Sequence, residues 1–387
     1  MNYKQTEHGI LRFNKISEKD IIILKYIEKY GPRKALLEIF KKIKRKNSEF
    51  SYSDIIYRYN RLIKKGKLKF NIFPNHFRLG LSSILVLFKI KMKYAEIFED
   101  IIKKNPTLIY YVRKYGSENG YLVRFAVPMN YVSQFFEFVE FIKTIGIAEN
   151  YKVYFKDQRV DSGLGFDWYD FNEGKIVWKW DEFVQEVIAN KKIEFEEKND
   201  VHFSYRPPDL SDVKILECLE LKPDAKFSEI AKATKLPISH VKYHYEHHLI
   251  KKKYIDRFVV YVWLFEPNET VGYYYSIIDF KDKKSMKAFA AALKGKPFVY
   301  SAITFANKNS LGLNLYLPYK QLLNFNKAMW DLAKEGIVED YIVDIFDLRF
   351  AKAYTLPYEL IKDGVWTYPH EEIMKNVQNV LVSYNLI

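Results

Sequence analysis

The strings Gly-Ile-Ala-Glu-Asn-Tyr-Lys-Val at 146–153 and Gly-Ile-Val-Glu-Asp-Tyr-Ile-Val at 336–343 coincide when the chain of 387 residues is moved along itself by 190 positions. With small gaps, the residues Leu-Ile-Lys-Lys at 62–65 also recur at 249–252. These matches keep the same order over about 170 residues, the mark of an internal repeat. The chain is therefore interpreted as two copies of one unit.

The boundaries between the copies follow from composition. A charged run at 191–200 leads into Arg206-Pro207-Pro208, where two prolines stop a helix and favour an extended path. Each copy divides into a helical front and a strand-bearing rear. The predicted order is a winged helix-turn-helix over 1–78, a sheet domain with a tail over 79–190, a linker over 191–208, a second winged helix-turn-helix over 209–266, and a second sheet domain with a tail over 267–387.

The fronts have the spacing of short helices. Ile22, Ile23, Tyr26 and Ile27 recur at helical intervals, and Gly31-Pro32 ends that helix. Further helices are predicted over 34–46 and 52–65 in the first copy, and over 213–221, 227–234 and 239–252 in the second, the last capped by Ser239. Strand-like segments at 67–73 and 254–265 are predicted to form wings.

Each rear shows a βαββαβ order, which packs two helices on one face of an antiparallel sheet. The predicted fold class is therefore α+β, with a ferredoxin-like domain in each copy. The aromatic tails contain Trp168, Trp178 and Trp180 in the first copy, and Trp366 and Tyr368 in the second. Exposed tails are rarely so aromatic, so these tails are expected to cover a sheet or the partner copy.

A winged helix-turn-helix followed by a βαββαβ domain, with a phrase such as that at 336–341, resembles the Lrp/AsnC (feast/famine) archaeal transcription regulators, here as two fused copies. The resemblance implies a regulator that binds promoter DNA, with the two sheet domains paired in pseudo-twofold fashion, either within one chain or in a homodimer. It also leaves room for a small-molecule effector of unknown identity. The chain departs from the family's glycine-rich effector turn at 116–120 and 307–310.

Charge favours nucleic acid as the partner. Residues 1–72 hold 19 Lys and Arg but seven Asp and Glu, a surplus of 12 positive charges in a protein whose net charge is +14. The second front, 209–260, has a surplus of two. A basic helix-turn-helix is the electrostatic footprint of phosphate-backbone binding, and the first copy is expected to dominate affinity.

The third helix of each front carries basic and aromatic residues beside its apolar stripe. Arg58 and Arg61, one turn apart, suit guanine edges, whereas any single charge on a helix is commonly just solvated. Contacts to double-stranded DNA are expected in the first copy from Ser53, Tyr57, Arg58, Arg61, Lys64, Lys65, Lys67 and Lys69, and in the second copy from Ser239, His240, Lys242, Tyr243, His244, His247, Lys251 and Lys252.

No catalytic or metal site is expected from motifs. His244, His247 and His248 have the i, i+3, i+4 spacing of one helical face, but Cys218 is the single cysteine and the string is not a His-Glu-x-x-His helix. Acidic residues such as Asp20 are interpreted as solvated charges. The expectation is a protein without cofactor or metal that is not an enzyme. It is expected to be cytoplasmic, since the longest apolar stretch, 79–88, is too short to span a membrane.

Two alternatives remain open. The same two-domain architecture is used by sirohaem decarboxylases, which bind a tetrapyrrole between the sheets and place Arg and His in the sheet domain. His76, Arg78, Arg113 and Arg124 precede or lie on the first sheet, whereas the second sheet region has no histidine. An architectural nucleic-acid-binding protein is the other alternative.

Overall fold

The structure is a computed structural model that describes residues 16–44, 51–62, 69–193, 208–261, 271–362 and 364–386. None of the helices within these ranges is long and apolar enough to cross a membrane. Helices and strands are numbered here in chain order. The first copy contains α1 (Glu18–Lys44), α2 (Tyr52–Asn60), β1 (Lys69–Pro74), β2 (Leu81–Ile90), α3 (Ala95–Ile102), β3 (Leu108–Tyr115), β4 (Gly120–Pro128), α4 (Val132–Thr144), β5 (Ala148–Val160), β6 (Tyr169–Asp170), β7 (Lys175–Ile176) and α5 (Trp180–Lys191).

The second copy repeats this order, with two separate helices in its front where the first copy has the two parts of α1. It contains α6 (Leu210–Leu221), α7 (Phe227–Thr234), α8 (Ile238–Tyr243) with a π-helical turn (His244–Ile250), β8 (Ile255–Tyr261), β9 (Val271–Phe280), α9 (Lys283–Ala292), β10 (Val299–Phe305), β11 (Ser310–Pro318), α10 (Tyr319–Lys334), β12 (Val338–Ala353), β13 (Ile361–Lys362), β14 (Val365–Trp366) and α11 (His370–Ser383). The α+β prediction and the βαββαβ order are confirmed in both rears.

The helix breaks in the fronts have local causes. Gly31 divides α1, because its φ of 76° lies in the left-handed region and a Cβ there would meet the ring of Phe258 at 2.7 Å. Ser51 caps α2 by accepting a hydrogen bond from the Asp54 amide at 3.1 Å. The predicted cap at Ser239 is wrong, since α8 begins after Pro237 and no side chain caps it.

The two predicted wings form one structure. Strand β1 pairs antiparallel with β8, so that Phe70 faces Val260 and Ile72 faces Phe258 across the ladder. Each strand alone would expose an edge of backbone N–H and C=O groups without partners, and the pairing gives the groups on the facing edges their hydrogen bonds. The two fronts are therefore joined through a shared two-stranded sheet.

The two rears close into a single eight-stranded barrel of order β10-β11-β9-β12-β3-β4-β2-β5. Two equivalent seams join the copies: β12 pairs with β3, and β10 pairs with β5. The prediction that the sheet domains pair in pseudo-twofold fashion is confirmed, and the pairing lies within one chain. Inward side chains such as Leu85, Leu87, Val112 and Ile277 pack in the barrel interior.

The aromatic tails are exchanged between the copies. Trp168, Trp180 and Phe183 of the first tail belong to the core of the second sheet domain, where α5 packs on α9 and α10. Tyr368 and Val377 of the second tail belong to the core of the first sheet domain, where α11 packs on α3 and α4. Each tail therefore covers the partner copy.

Candidate functional site

In the first front, the predicted base-reading arginines are half-buried and engaged in ion pairs. The Arg58 guanidinium donates to the hydroxyl of Ser17 at 2.8 Å, to Asp20 at 3.1 Å and to Asp54 at 2.9 Å, and Arg61 also donates to Asp20. The prediction that Asp20 is a solvated charge is wrong, because its side chain is fully buried. A buried carboxylate needs paired cations, and these two arginines supply them.

Of the other residues predicted to contact DNA in the first front, some are described by the structure and some are not. Tyr57 is exposed, with 66 % of its surface accessible, and Ser53 is exposed beside Ser51. Lys69 opens β1 opposite Tyr261. Lys64, Lys65 and Lys67 lie outside the described residues.

In the second front, one predicted DNA contact is buried. His244, placed on the outer face by periodicity, is 6 % exposed, because the π-helical turn directs it onto α6 and the buried Asp212. The remaining predicted residues reach the surface to different extents. Ser239, His240, Lys242, Tyr243, His247 and Lys251 are exposed, and Lys252 is half-buried.

A second set of basic residues lies where the barrel meets the fronts. Arg124 on β4 shares the inward face of its strand with Leu122, and Lys156 on β5 shares that of Tyr154. Neither side chain makes a hydrogen bond or an ion pair with any residue that the structure describes. Asp256 acts on Lys156 only at longer range, so two inward cations without a direct partner are suited to receive an anion.

The pKa shifts in this set have a common cause. Burial, followed by the charges of Arg124 and Arg159, lowers the pKa of Lys156 to about 7. Burial and Arg159 lower the pKa of Arg124. Burial, Lys156 and Arg124 hold the pKa of His76 well below its usual value. Desolvation disfavours each charged form and the neighbouring cations repel one another, so a bound anion would relieve both penalties.

Two buried polar atoms beside these cations have no partner among the described residues: Nδ1 of His76 and the hydroxyl of Tyr275. A Cβ at Gly312 would lie 2.2 Å from that hydroxyl, so the glycine makes room for the Tyr275 ring. Buried polar atoms are normally hydrogen-bonded. The missing hydrogen-bond partners of these two atoms indicate that a polar ligand can bind beside them. We name Arg124, Lys156, Arg159, His76 and Tyr275 the cationic cluster.

A cavity of about 630 Å³ adjoins the cationic cluster. Arg159 belongs to both, and Arg257, Tyr261 and Tyr300 line the cavity wall. Burial raises the pKa of Glu28, another wall residue, to about 7. Two further acidic residues, Asp161 and Asp256, also line the cavity.

The cationic cluster has no equivalent in the second copy. At the positions equivalent to Arg124 and Lys156, the second copy has Asn314 and Phe346. The Asn314 amide is satisfied by the Ser301 hydroxyl at 2.7 Å. Within the part of the chain that the structure describes, the barrel therefore has this pair of inward cations in the first copy and not in the second. Sequence reasoning noted His76 and Arg124 but missed Lys156 and Arg159. The sequence did contain one indication: Lys156 falls on the same face of its predicted strand as the inward-facing apolar residues.

The comparisons with solved structures cover nearly the whole chain. The sirohaem decarboxylase NirDL matches with a TM-score of 0.55 and 12 % identity over 95 % of this chain and all of that one. The same protein with an iron-uroporphyrin III analogue gives 0.53 and 13 %, over 95 % of this chain and all of that one. The chain therefore has the fold of that protein, with two fused units of a winged helix-turn-helix and a βαββαβ domain.

Other comparisons add little. A transcriptional regulator from Neisseria meningitidis, solved with L-Met, matches 36 % of this chain and 88 % of its own, with 19 % identity and a TM-score of 0.26. No protein-family model and no curated protein matches the chain.

Proposed function

We propose that this chain binds a polycarboxylate tetrapyrrole at the cationic cluster and removes carboxyl groups from it, as a sirohaem-decarboxylase-like enzyme. The observation that carries the proposal is the unpaired Arg124 and Lys156 beside a cavity. The proposal departs from the expectation of a protein without enzymatic activity.

The charge arrangement suits a carboxylate-rich substrate. Arg124 can bind a carboxylate through two parallel hydrogen bonds, and Lys156 adds a point charge. Arg159 and Arg257 line the neighbouring cavity. The tyrosines Tyr261 and Tyr300, stacked at 4.7 Å, give the cavity an aromatic wall against which a flat macrocycle would pack.

Proton supply follows from the same geometry. When a carboxylate arm loses CO₂, the carbon keeps the bonding pair and needs one proton. Burial, and then the charges of Lys156 and Arg124, hold the pKa of His76 well below its usual value. Bound carboxylates would offset both effects by placing negative charge beside the imidazole, so that His76 can take up a proton from solvent and donate it to the carbon. The Tyr275 hydroxyl, whose pKa is raised by burial, holds its proton and donates a hydrogen bond to a substrate oxygen.

The test is a titration of the purified chain with sirohaem, followed through the Soret absorbance, and then mass spectrometry for loss of CO₂. Arg124→Leu should weaken binding about ten- to a hundredfold, the range for a lost charged hydrogen bond. Asn314→Leu, at the equivalent position of the second copy, is the matched control and should bind as the wild type does. Equal affinities for wild type and Arg124→Leu would refute the site, and binding without CO₂ loss would restrict the proposal to tetrapyrrole binding.

A second candidate is DNA binding, favoured by the exposed Tyr57, Tyr243, His247 and Lys251 on the outer faces of the fronts. A salt-dependent shift of promoter DNA by the purified chain would support this function. Because Arg58 and Arg61 hold Asp20, changing either to lysine should lower stability. If either instead relaxes base preference with stability unchanged, base reading is favoured.

A further inference from the structure

Four metal-ligating side chains converge in the second front. Asp209 and Asp212 lie at the start of α6, and His244 and His248 lie on the π-helical turn that packs against it. One ligand atom from each side chain, an oxygen of each carboxylate and a nitrogen of each imidazole, lies within 4.8 Å of the other three. The set is distinct from the cationic cluster.

Local structure places each of these groups. Asp209 and Asp212 form a capping box, in which the Asp209 carboxylate accepts from the Asp212 amide at 2.9 Å and the Asp212 carboxylate accepts from the Asp209 amide at 3.3 Å. On the π-helical turn, His244 and His248 lie on one face with their ring centroids 4.5 Å apart. Single π-helical turns are frequent at functional sites.

The spacing of the ligand atoms suits a tetrahedral ion. Nδ1 of His244 lies 2.8 Å from Asp212 and 3.6 Å from Asp209, and Nδ1 of His248 lies 3.0 Å and 3.6 Å from the same two carboxylates. Zinc bound to nitrogen and oxygen at about 2.0–2.1 Å holds its tetrahedral ligands about 3.3 Å apart. The observed separations lie on both sides of that value, so small side-chain shifts would admit an ion.

Burial and charge also fit. The side chains of Asp212, His244 and His248 are 1 %, 7 % and 15 % exposed, whereas Asp209 is 51 % exposed and leaves a route from solvent. Two carboxylates would balance a divalent charge, and two imidazoles supply the softer ligands that zinc-like ions favour. The donor set discriminates against Ca²⁺ and Mg²⁺, which take oxygen ligands.

The first copy provides an internal comparison. There the buried Asp20 of α1 is equivalent to Asp212 and is paired with Arg58 and Arg61. Guanidinium groups are always charged and cannot ligate a metal. The second copy has imidazoles around the same carboxylate. The first front therefore pairs its buried carboxylate with guanidinium groups, whereas the second front pairs its buried carboxylate with imidazoles. Of these two arrangements, only the one with imidazoles can ligate a metal.

We propose that Asp209, Asp212, His244 and His248 bind one zinc-class divalent ion that fixes α6 to the π-helical turn. Its role is structural: it stabilises the second front in the way that Arg58 and Arg61 stabilise the first. The proposal is independent of the tetrapyrrole site.

The test uses the full chain after treatment with a chelator. Titration with Co²⁺ should give the visible absorption of a tetrahedral site and saturate at one ion per chain, and Zn²⁺ should displace it. His247→Gln, on the exposed face of the same turn, is the matched control and should keep full binding. His248→Gln should lose the absorption.

A second variant guards against misfolding. His248→Arg copies the pairing of the first front, so it should stay folded by circular dichroism while binding no Co²⁺. Wild-type protein that gives no tetrahedral spectrum, or a His248→Arg variant that binds as much Co²⁺ as the wild type, would overturn the proposal.

Discussion

The two seams that close the barrel are equivalent in position and opposite in chemistry. At the β3–β12 seam, Lys114 pairs with Asp344 at 2.9 Å, and both side chains are almost completely buried. At the β5–β10 seam, Tyr154 and Phe305 occupy the equivalent positions, with ring centroids 4.6 Å apart. One seam is ionic and the other aromatic. Strand register fixes the equivalence, because Lys114 faces Phe346 as Phe305 faces Lys156.

This difference shows that the two copies are complementary to each other in the residues that they bring to the seams. Two first copies facing each other would set Lys114 against Tyr154 at both seams, and two second copies would set Phe305 against Asp344. Each arrangement buries a charge without a partner, which costs several kcal/mol. The seams therefore act against self-pairing and favour the mixed pair that the fused chain provides.

The largest expected effect comes from breaking the ionic seam. Lys114→Phe leaves Asp344 buried with the amide and hydroxyl of Ser117 as its remaining partners. We expect the free energy of unfolding to fall by about 3–5 kcal/mol. Urea unfolding measures the change. Phe305→Leu at the aromatic seam is the control and should cost about 1 kcal/mol. A smaller loss from Lys114→Phe than from Phe305→Leu would show that the buried pair is not important for stability.

Converting the ionic seam into a copy of the aromatic one should reverse most of that loss. The double variant Lys114→Phe with Asp344→Tyr removes both charges together, and buried ion pairs replaced by apolar groups are often neutral in stability. We expect recovery to within about 2 kcal/mol of the wild type. A double-mutant cycle on the same unfolding measurement gives the coupling energy. Strict additivity of the two single changes would contradict the complementarity of the seam.

At the aromatic seam, the lowered pKa of Lys156 predicts that the stability of the protein depends on pH. The folded pKa of Lys156 is about 7, below the ordinary lysine value of 10.5, so above about pH 7 the unfolded chain binds the extra proton. Stability relative to Lys156→Met should therefore rise as pH increases from about 7 to 9, by at most about 1.4 kcal/mol per unit. Urea unfolding of both proteins at the two pH values tests this, and a constant difference would refute the lowered pKa.

The smallest effect is expected at the outer ends of the seam strands. Arg349 is 83 % exposed and pairs with Asp347, whose side chain is 7 % exposed, so its guanidinium is engaged by that carboxylate and Arg349→Ala should leave sirohaem binding unchanged. The equivalent Arg159→Ala should weaken sirohaem binding about tenfold, because Arg159 lines the cavity. Soret titrations of both variants make the comparison. Equal losses would show that the two arginines contribute alike.

Regular elements were predictable because their patterns are local. The apolar run within the strand predicted over 82–91 marks β2, observed at Leu81–Ile90, and the repeat itself identified two sheet domains. The pairing of β1 with β8 was not predictable in the same way, since each segment reads as an ordinary wing and the partner lies almost 200 residues away in the sequence.

The partners of buried carboxylates could not be predicted from the sequence. Helical periodicity placed Arg58, Arg61 and His244 on an outer face, but it cannot show that the neighbouring helix brings Asp20 or Asp212 beneath them. The π-helical turn also changes the phase of the second front. His76 and Arg124 were noticed from their residue types, whereas their proximity to Lys156 depends on strand register within the closed barrel, which no local pattern contains.

The exchanged tails have a consequence for how such a chain can be divided. Helix α5 packs on the second sheet domain and α11 packs on the first. Each half therefore contacts the other through its own C-terminal segment. Two fragments, one ending before 194 and one beginning after 207, would still share both seams and both exchanged tails, without the high effective concentration that covalent linkage supplies. We expect such fragments, produced as separate chains, to reassemble into a heterodimer.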